Sequence, residues 1–81
     1  MERTKAEVEV VAAIAEVLQI FPEAVMEDLE TPLCDHLDSL DIVEVLMIVE
    51  DALNISVDDS KQEKLLAGNI NSFVDYLVDN H

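Results

Sequence analysis

The chain has 81 residues, with 19 Asp and Glu against 4 Lys and Arg, which gives a formal net charge of −15. This length leaves room for one domain, and we expect residues 1–81 to form it. Because 51% of the residues are hydrophobic, the composition favours a folded chain over disorder. So acidic a surface repels the phosphates of nucleic acids and anionic membranes, which excludes both as expected partners.

The single cysteine rules out an internal disulfide framework, as is typical of a reducing compartment. The N-terminal residues lack the charged region and apolar run of a targeting signal. The longest apolar run, Val10 to Ala15, is far below the roughly 18 residues that a membrane helix requires. We therefore expect a soluble, cytoplasmic, monomeric protein.

The first predicted helix runs from Thr4 to about Ile20. Thr4 is its expected cap, because Glu7 follows at the spacing of a capping box. Apolar residues recur at helical spacing along this segment. The predicted core stripe consists of Val8, Val11, Ala12, Ala15 and Leu18, widened by Val10, Ile14 and Val17.

A long segment without helical or strand period follows, from Phe21 to Asp38. Pro22 and Pro32 interrupt it, and a connection of this length is usually functional or disordered. The second predicted helix begins after it, with Asp38 as N-cap and Asp41 three residues later. Its predicted core face holds Ile42, Leu46, Val49 and Leu53, whereas Asp41, Glu44 and Asp51 lie opposite among Leu40, Val43 and Met47.

A short third helix is predicted from Asp58-Asp59-Ser60 through Ala67, with Gly68 as its stop. Asn69 is the expected cap of a fourth helix, whose apolar residues are Ile70, Phe73, Val74, Leu77 and Val78. These elements predict an all-α fold. We expect a four-helix bundle with three longer helices and one short helix, and a long loop between helices one and two.

Signatures of catalysis are lacking. One glycine cannot form a Gly-rich phosphate loop or a dinucleotide fingerprint, and the two histidines do not make a paired zinc motif. We expect no enzyme activity and no metal site. His36 beside Asp35 and Asp38 suggests a cation ligand, but an ordinary surface histidine is the preferred interpretation. Cys34 is expected to be a half-buried apolar residue rather than a reactive thiol.

Ser39 is the residue with the most specific setting. Its hydroxyl lies in the first turn of the second predicted helix and follows an irregular loop, so a modifying enzyme could reach it. Backbone N–H groups at a helix N-terminus lack intrahelical acceptors and stabilise phosphate. A phosphodiester on Ser39 would therefore occupy a favourable place.

The run D-S-L-D-I-V-E-V-L-M-I-V-E-D, which begins at Asp38, resembles acyl carrier proteins, and the match continues ungapped to about Leu65. The resemblance implies that Ser39 carries 4′-phosphopantetheine, a flexible arm taken from coenzyme A and installed by a magnesium-dependent phosphopantetheinyl transferase. The thiol of the arm would carry acyl groups as thioesters between the enzymes of fatty-acid, polyketide or related lipid biosynthesis. His36 stands where the family usually has glycine, which points to a specialised member.

The same resemblance assigns two further sets of residues. The set expected to meet partner enzymes, including acyl-transferring and acyl-modifying enzymes with basic surfaces, is Asp38, Leu40, Asp41, Val43, Glu44, Met47, Glu50 and Asp51. The set expected to line an acyl cleft is Leu46, Val49, Leu53, Val57 and Leu65. An alternative from a different class stays open at this point. In it the chain is an acidic helical module that binds a basic protein or divalent cations, with Ser39 unmodified.

Overall fold

The computed structural model describes residues 2–80, and every regular element in that range is helical. The expected all-α fold is confirmed. The α-helices are α1 (Arg3–Leu18), α2 (Pro22–Met26), α3 (Ser39–Leu53), α4 (Gln62–Ala67) and α5 (Ile70–Asn80), and 3₁₀ turns span Leu33–Asp35 and Asp59–Lys61. Helices α1, α3 and α5 are the three longer helices of the prediction, and α4 is the short one. The long loop also contains a helix of its own, α2.

The N-cap of helix α1 lies two residues earlier than predicted. The N–H of Ala6 donates to the carbonyl of Glu2 at 3.1 Å, so Glu2 is the N-cap, and its side chain makes no capping hydrogen bond. The prediction that Thr4 caps the helix is therefore wrong, because Thr4 already lies within the first turn. The helix ends at Leu18, and Gln19 takes the left-handed conformation with φ of 57°.

The predicted core stripe of α1 is partly wrong. Val8 and Ala12 are exposed, whereas Ala6 and Ala13 are buried. The reason is that α1 packs against α2, α3 and α5 together, so its buried side is wide and centres on Val10. Val8 and Ala12 lie about 160° from Val10 around a helix with 100° between residues, on the far side from these neighbours.

The segment between α1 and α3 is tied to the rest of the chain by the backbone. Pro22 occupies the first position of α2, where its missing N–H costs nothing. Further on, the N–H of Leu33 donates to the carbonyl of Gly68 at 2.8 Å, and the Leu33 side chain is buried. Leu37 is buried as well. These contacts hold the chain that enters α3 against the corner between α4 and α5.

Helix α3 follows its prediction closely. Ile42, Leu46 and Val49 are buried, as expected, and Leu53 is half-buried. Val45 is also buried, which the predicted face omitted. The buried side of α3 contacts α1 and α4, so it is wider than the single stripe that one neighbour would cover.

The last two helices are separated by a tight corner. Helix α4 ends at Ala67, but Gly68 has an extended backbone with φ of −89°, not the left-handed conformation of the usual stop. A Cβ at this position would meet the Ser72 hydroxyl, so a larger residue would force the Ser72 side chain to move from its place. Asn69 caps α5 as predicted: its Oδ1 accepts the Ser72 N–H at 2.8 Å, and Ser72 Oγ accepts the Asn69 N–H at 2.9 Å.

A single apolar core joins all the helices. Phe73 of α5 is its largest fully buried side chain, and Ile42, Leu77 and Val10 surround the same centre of the fold. Among the residues that the structure describes, no polar or charged side chain is buried. The charge of the chain is therefore at the surface, where Arg3 of α1 pairs with Asp75 of α5.

Candidate functional site

The candidate site is built at the N-terminus of α3. Ser39 is the first residue of this 15-residue helix and is exposed. Asp38 caps it: the Asp41 N–H donates to Asp38 Oδ1 at 2.8 Å, and the Asp38 N–H donates to Asp41 Oδ2 at 3.2 Å. This reciprocal pair is a capping box, so both backbone and side chains hold the turn that presents the Ser39 hydroxyl.

The first turn of α3 fits a phosphodiester on Ser39. The earliest N–H groups of an α-helix have no acceptor within the helix, and the helix dipole places partial positive charge there. The capping box occupies the N–H of Asp41, the third residue of the helix, and not those of Ser39 and Leu40. An exposed primary hydroxyl in this position can accept a covalent phosphate without disturbing a buried group.

The exposed side of α3 combines apolar and acidic residues. Leu40 is 73% exposed and Met47 is 63% exposed. Glu44 and Asp51 are exposed near them, whereas Asp41 and Val43 are partly buried. We call the set of eight residues expected to meet partner enzymes the α3 surface; its members are Asp38, Leu40, Asp41, Val43, Glu44, Met47, Glu50 and Asp51.

Glu50 differs from the other acidic residues of the α3 surface. Its Oε2 accepts the N–H of Val57 at 2.7 Å, in a partly buried setting. The carboxylate therefore fastens the loop after α3 to the helix and has one oxygen committed within the fold. This role could not be predicted from the residue pattern, because the partner is a backbone group seven residues away.

A residue from α1 joins the α3 surface. Glu16 lines an open groove together with Met47, Ile48, Glu50, Asp51 and Ala52 of α3. Its carboxylate adds to the acidic character beside Met47. Glu16 was not among the residues predicted for this surface, because only the packing of α1 on α3 brings it to this place.

The predicted acyl-cleft residues come together, but as part of the common core. Leu46, Val49, Val57 and Leu65 are buried in the core, and Leu53 is partly buried and packs against the core. These residues belong to α3, to the loop after it and to α4. Their assignment to an acyl cleft stays a prediction.

The remaining candidates lie just before α3. Cys34 is exposed, so the prediction of a half-buried residue is wrong; its 3₁₀ turn directs the neighbouring Leu33 inward instead. His36 is exposed, and its Nε2 lies 3.9 Å from Asp28 Oδ2. Over residues 2–80, no group of three or more His, Cys, Asp and Glu side chains could hold a metal ion.

None of the helices in that range has both the length and the hydrophobicity of a transmembrane span.

Comparison with known proteins agrees with the geometry of this site. The family model described as "Phosphopantetheine attachment site" matches residues 8–77. An acyl carrier protein of Helicobacter pylori (strain J99 / ATCC 700824) is 36% identical over 69 residues, which cover 85% of this chain and 86% of that protein. An acyl carrier protein of Campylobacter fetus subsp. fetus (strain 82-40) is 35% identical over 71 residues, with 85% and 87% covered.

The match to the family model runs from within α1 to within α5 and includes the whole candidate site. The matches give no support to the alternative of an unmodified acidic module. The family is defined by attachment of phosphopantetheine, the group that the first turn of α3 fits. The chain therefore belongs to the acyl carrier protein family, whose members carry acyl groups on 4′-phosphopantetheine.

Proposed function

We propose that Ser39 is the residue to which 4′-phosphopantetheine is attached. The observation that carries this proposal is the position of Ser39 as the exposed first residue of α3, directly after the Asp38–Asp41 capping box. The other serines have different settings. Ser72 caps α5 through its hydroxyl, the N–H of Ser60 binds Asp58, and Ser56 lies in the loop after α3.

The α3 surface is the proposed docking site for the phosphopantetheinyl transferase and for the enzymes that load, modify or unload the acyl group. Exposed Leu40 and Met47 supply apolar contact area next to the hydroxyl that must be modified. Glu44 and Asp51 supply the charge that steers a basic partner surface to it. Glu50 supports this surface through its bond to the Val57 N–H, so its own contribution is to hold the loop.

The chain itself performs no catalysis in this proposal. It delivers a thioester to enzymes of fatty-acid, polyketide or related lipid biosynthesis in the cytoplasm, acting as a monomer. The tether raises the effective concentration of the acyl group at the active site of the partner. Because one carrier must serve several enzymes in turn, a small interface steered by charge favours quick arrival and quick release.

The direct experiment is intact mass spectrometry after co-expression with a transferase of broad specificity. We expect the mass of the arm on the natural chain and on Ser56→Ala, and its complete absence on Ser39→Ala. Ser56 is a matched control, because it is also an exposed serine and lies in the loop that follows α3. Modification of Ser39→Ala, or failure of several such transferases to modify the natural chain, would contradict the proposal.

A second measurement tests the carrier role itself. The arm-bearing protein is loaded with an acyl group and then treated with neutral hydroxylamine, which cleaves thioesters. The acyl mass should be lost while the mass of the arm stays. An acyl group that resists hydroxylamine would mean that it is not held as a thioester.

A further inference from the structure

The corner between α1 and α2 exposes a continuous apolar surface. Ile20 is exposed, and Phe21 is 78% exposed, more than Leu40 or Met47 of α3. With Gln19 and Ala24 they line an open groove. We call Gln19, Ile20, Phe21 and Ala24 the corner surface. Because its apolar residues adjoin one another, it is a patch of the kind that marks an interaction site, and not a set of scattered exposed side chains.

The Phe21 ring takes no part in holding the fold together. Phe21 is the N-cap of α2, and its side chain makes no capping hydrogen bond. Its carbonyl accepts the N–H of Ala24 at 3.0 Å, a bond that any residue in this place would supply. Asn, Asp and Ser are preferred at an N-cap, because their side chains accept N–H groups of the first turn. The ring is therefore outside both the core and the cap, and it is available for contact with another molecule.

The charges around the corner surface indicate which kind of molecule fits it. Glu23 and Glu27 follow Phe21 on and just after α2, and both are exposed. Between Lys5 and Lys61 the chain has no Lys or Arg. A protein surface with an apolar pocket and basic residues around it is therefore complementary to this corner. A second copy of the chain is not, because it brings the same acidic residues and a further charge of −15.

The corner surface lies at the same end of the bundle as Ser39. Ile20 and Ala24 also form walls of a small cavity in the core, together with His36 and Leu37. Ser39 follows Leu37 by two residues, and Cα atoms two residues apart are at most about 7 Å from each other. An ordinary protein interface covers about 800 Å² of each partner. An enzyme that covers the Ser39 hydroxyl can therefore touch the corner surface in the same complex.

The enzymes that act on a carrier differ in what they must cover. An enzyme that loads or modifies acyl groups acts at the thiol of the flexible arm, away from the bundle, whereas the transferase must bring its reacting atoms to the Ser39 hydroxyl itself. We propose that the corner surface is a second contact for the phosphopantetheinyl transferase, in which an apolar pocket rimmed by Lys or Arg receives the Phe21 ring. The inference rests on the proposed attachment at Ser39.

The test is the steady-state kinetics of modification by the transferase from the organism in which the chain occurs. Phe21→Asn removes the ring and places a preferred N-cap residue at the start of α2, so the fold should not lose stability. We expect the KM for the carrier to rise about tenfold with kcat unchanged, because the ring contributes to binding before and during the reaction alike. Phe21→Tyr keeps the ring and should have nearly the KM of the natural chain.

Two controls make the test specific. Val8→Gln removes another exposed apolar side chain, on the side of α1 that faces away from α2, α3 and α5, and should leave KM unchanged. Raising the salt concentration should preserve the effect of Phe21→Asn, because salt does not screen an apolar contact. The effect of charge reversal at Glu44 and Asp51 should shrink under the same conditions.

Three results would overturn the inference. The first is an unchanged KM for Phe21→Asn, or an equal rise for Val8→Gln. The second is a dimer of the natural chain in sedimentation that Phe21→Asn abolishes, which would assign the corner surface to a second copy. The third is modification of the natural chain by a transferase of broad specificity but not by the one from its own organism. A chain that no transferase modifies refutes the attachment at Ser39 as well, and intact mass tells this failure apart from the other three.

Discussion

Helices α1 and α3 are of nearly equal length, 16 and 15 residues, but they are exposed to solvent in different ways. Helix α1 begins without a side-chain cap, and its one large exposed apolar residue is Val8. Helix α3 begins in a reciprocal capping box and exposes both Leu40 and Met47 beside acidic residues. The difference shows that α1 serves mainly the core, and it is what the proposal requires of α3, which would serve the core on one side and partner enzymes on the other.

The two sides of α3 give the largest expected contrast. Ile42→Ala removes a fully buried side chain and should lower the free energy of unfolding by about 2–5 kcal/mol. Leu40→Ala removes an exposed one and should change it by no more than about 0.5 kcal/mol. Urea denaturation followed by circular dichroism measures both. Equal losses would mean that the Leu40 side chain is needed for folding, and would weaken its assignment to docking.

The next largest difference is expected between the acidic residues of α3 and those of α1. The double charge reversal of Glu44 and Asp51 to Lys should lower kcat/KM for modification by the transferase about tenfold at low salt, because steering toward a basic surface is lost. The same reversal of Glu7 and Glu9 on α1 should have little effect. Helical content should be unchanged in both variants.

The salt dependence of the transferase reaction serves as the control for this contrast. At high salt the difference between the two double variants should shrink, because exposed charges are screened. If reversal on α1 slows modification as much as reversal on α3, the attraction comes from the net charge of the chain and not from the α3 surface.

The smallest difference is expected between the N-caps of α3 and α1, in their effect on the free energy of unfolding. Asp38→Ala should lower the free energy of unfolding by about 1 kcal/mol, because the Asp41 N–H loses its acceptor. Glu2→Ala should have almost no effect, since the Glu2 side chain caps nothing. Asp38→Asn keeps an acceptor and should restore most of the loss. Thermal or urea unfolding measures all three variants, and an unstable Asp38→Asn would show that charge rather than capping is what Asp38 supplies.

The helix starts also show what could and could not be predicted from the sequence. The starts of α3 and α5 were predicted correctly, because Asp38 with Asp41 and Asn69 with Ser72 act within four residues of chain. The start of α1 was not, because Thr4 and Glu7 have the spacing of a capping box but the helix extends back over Thr4. A capping pattern in the sequence predicts a helix start correctly only where its side chains do bind the backbone of the first turn.

Features that depend on packing between several helices could not be predicted from the sequence. The exposure of Val8 depends on where α2, α3 and α5 pack on α1. Glu16 reaches the α3 surface only through contacts between segments far apart in the chain. The capped start of α3, where the proposed Ser39 site lies, could be predicted because its residues are consecutive.

The most direct test of the account is to locate the added mass by fragmenting the intact, arm-bearing protein. We predict that N-terminal fragments ending at or before Asp38 have their unmodified mass, and that those ending at Ser39 or later contain the arm. Fragments that place the arm on Ser56, Ser60 or Ser72 would contradict the claim that the N-terminus of α3 is the functional site.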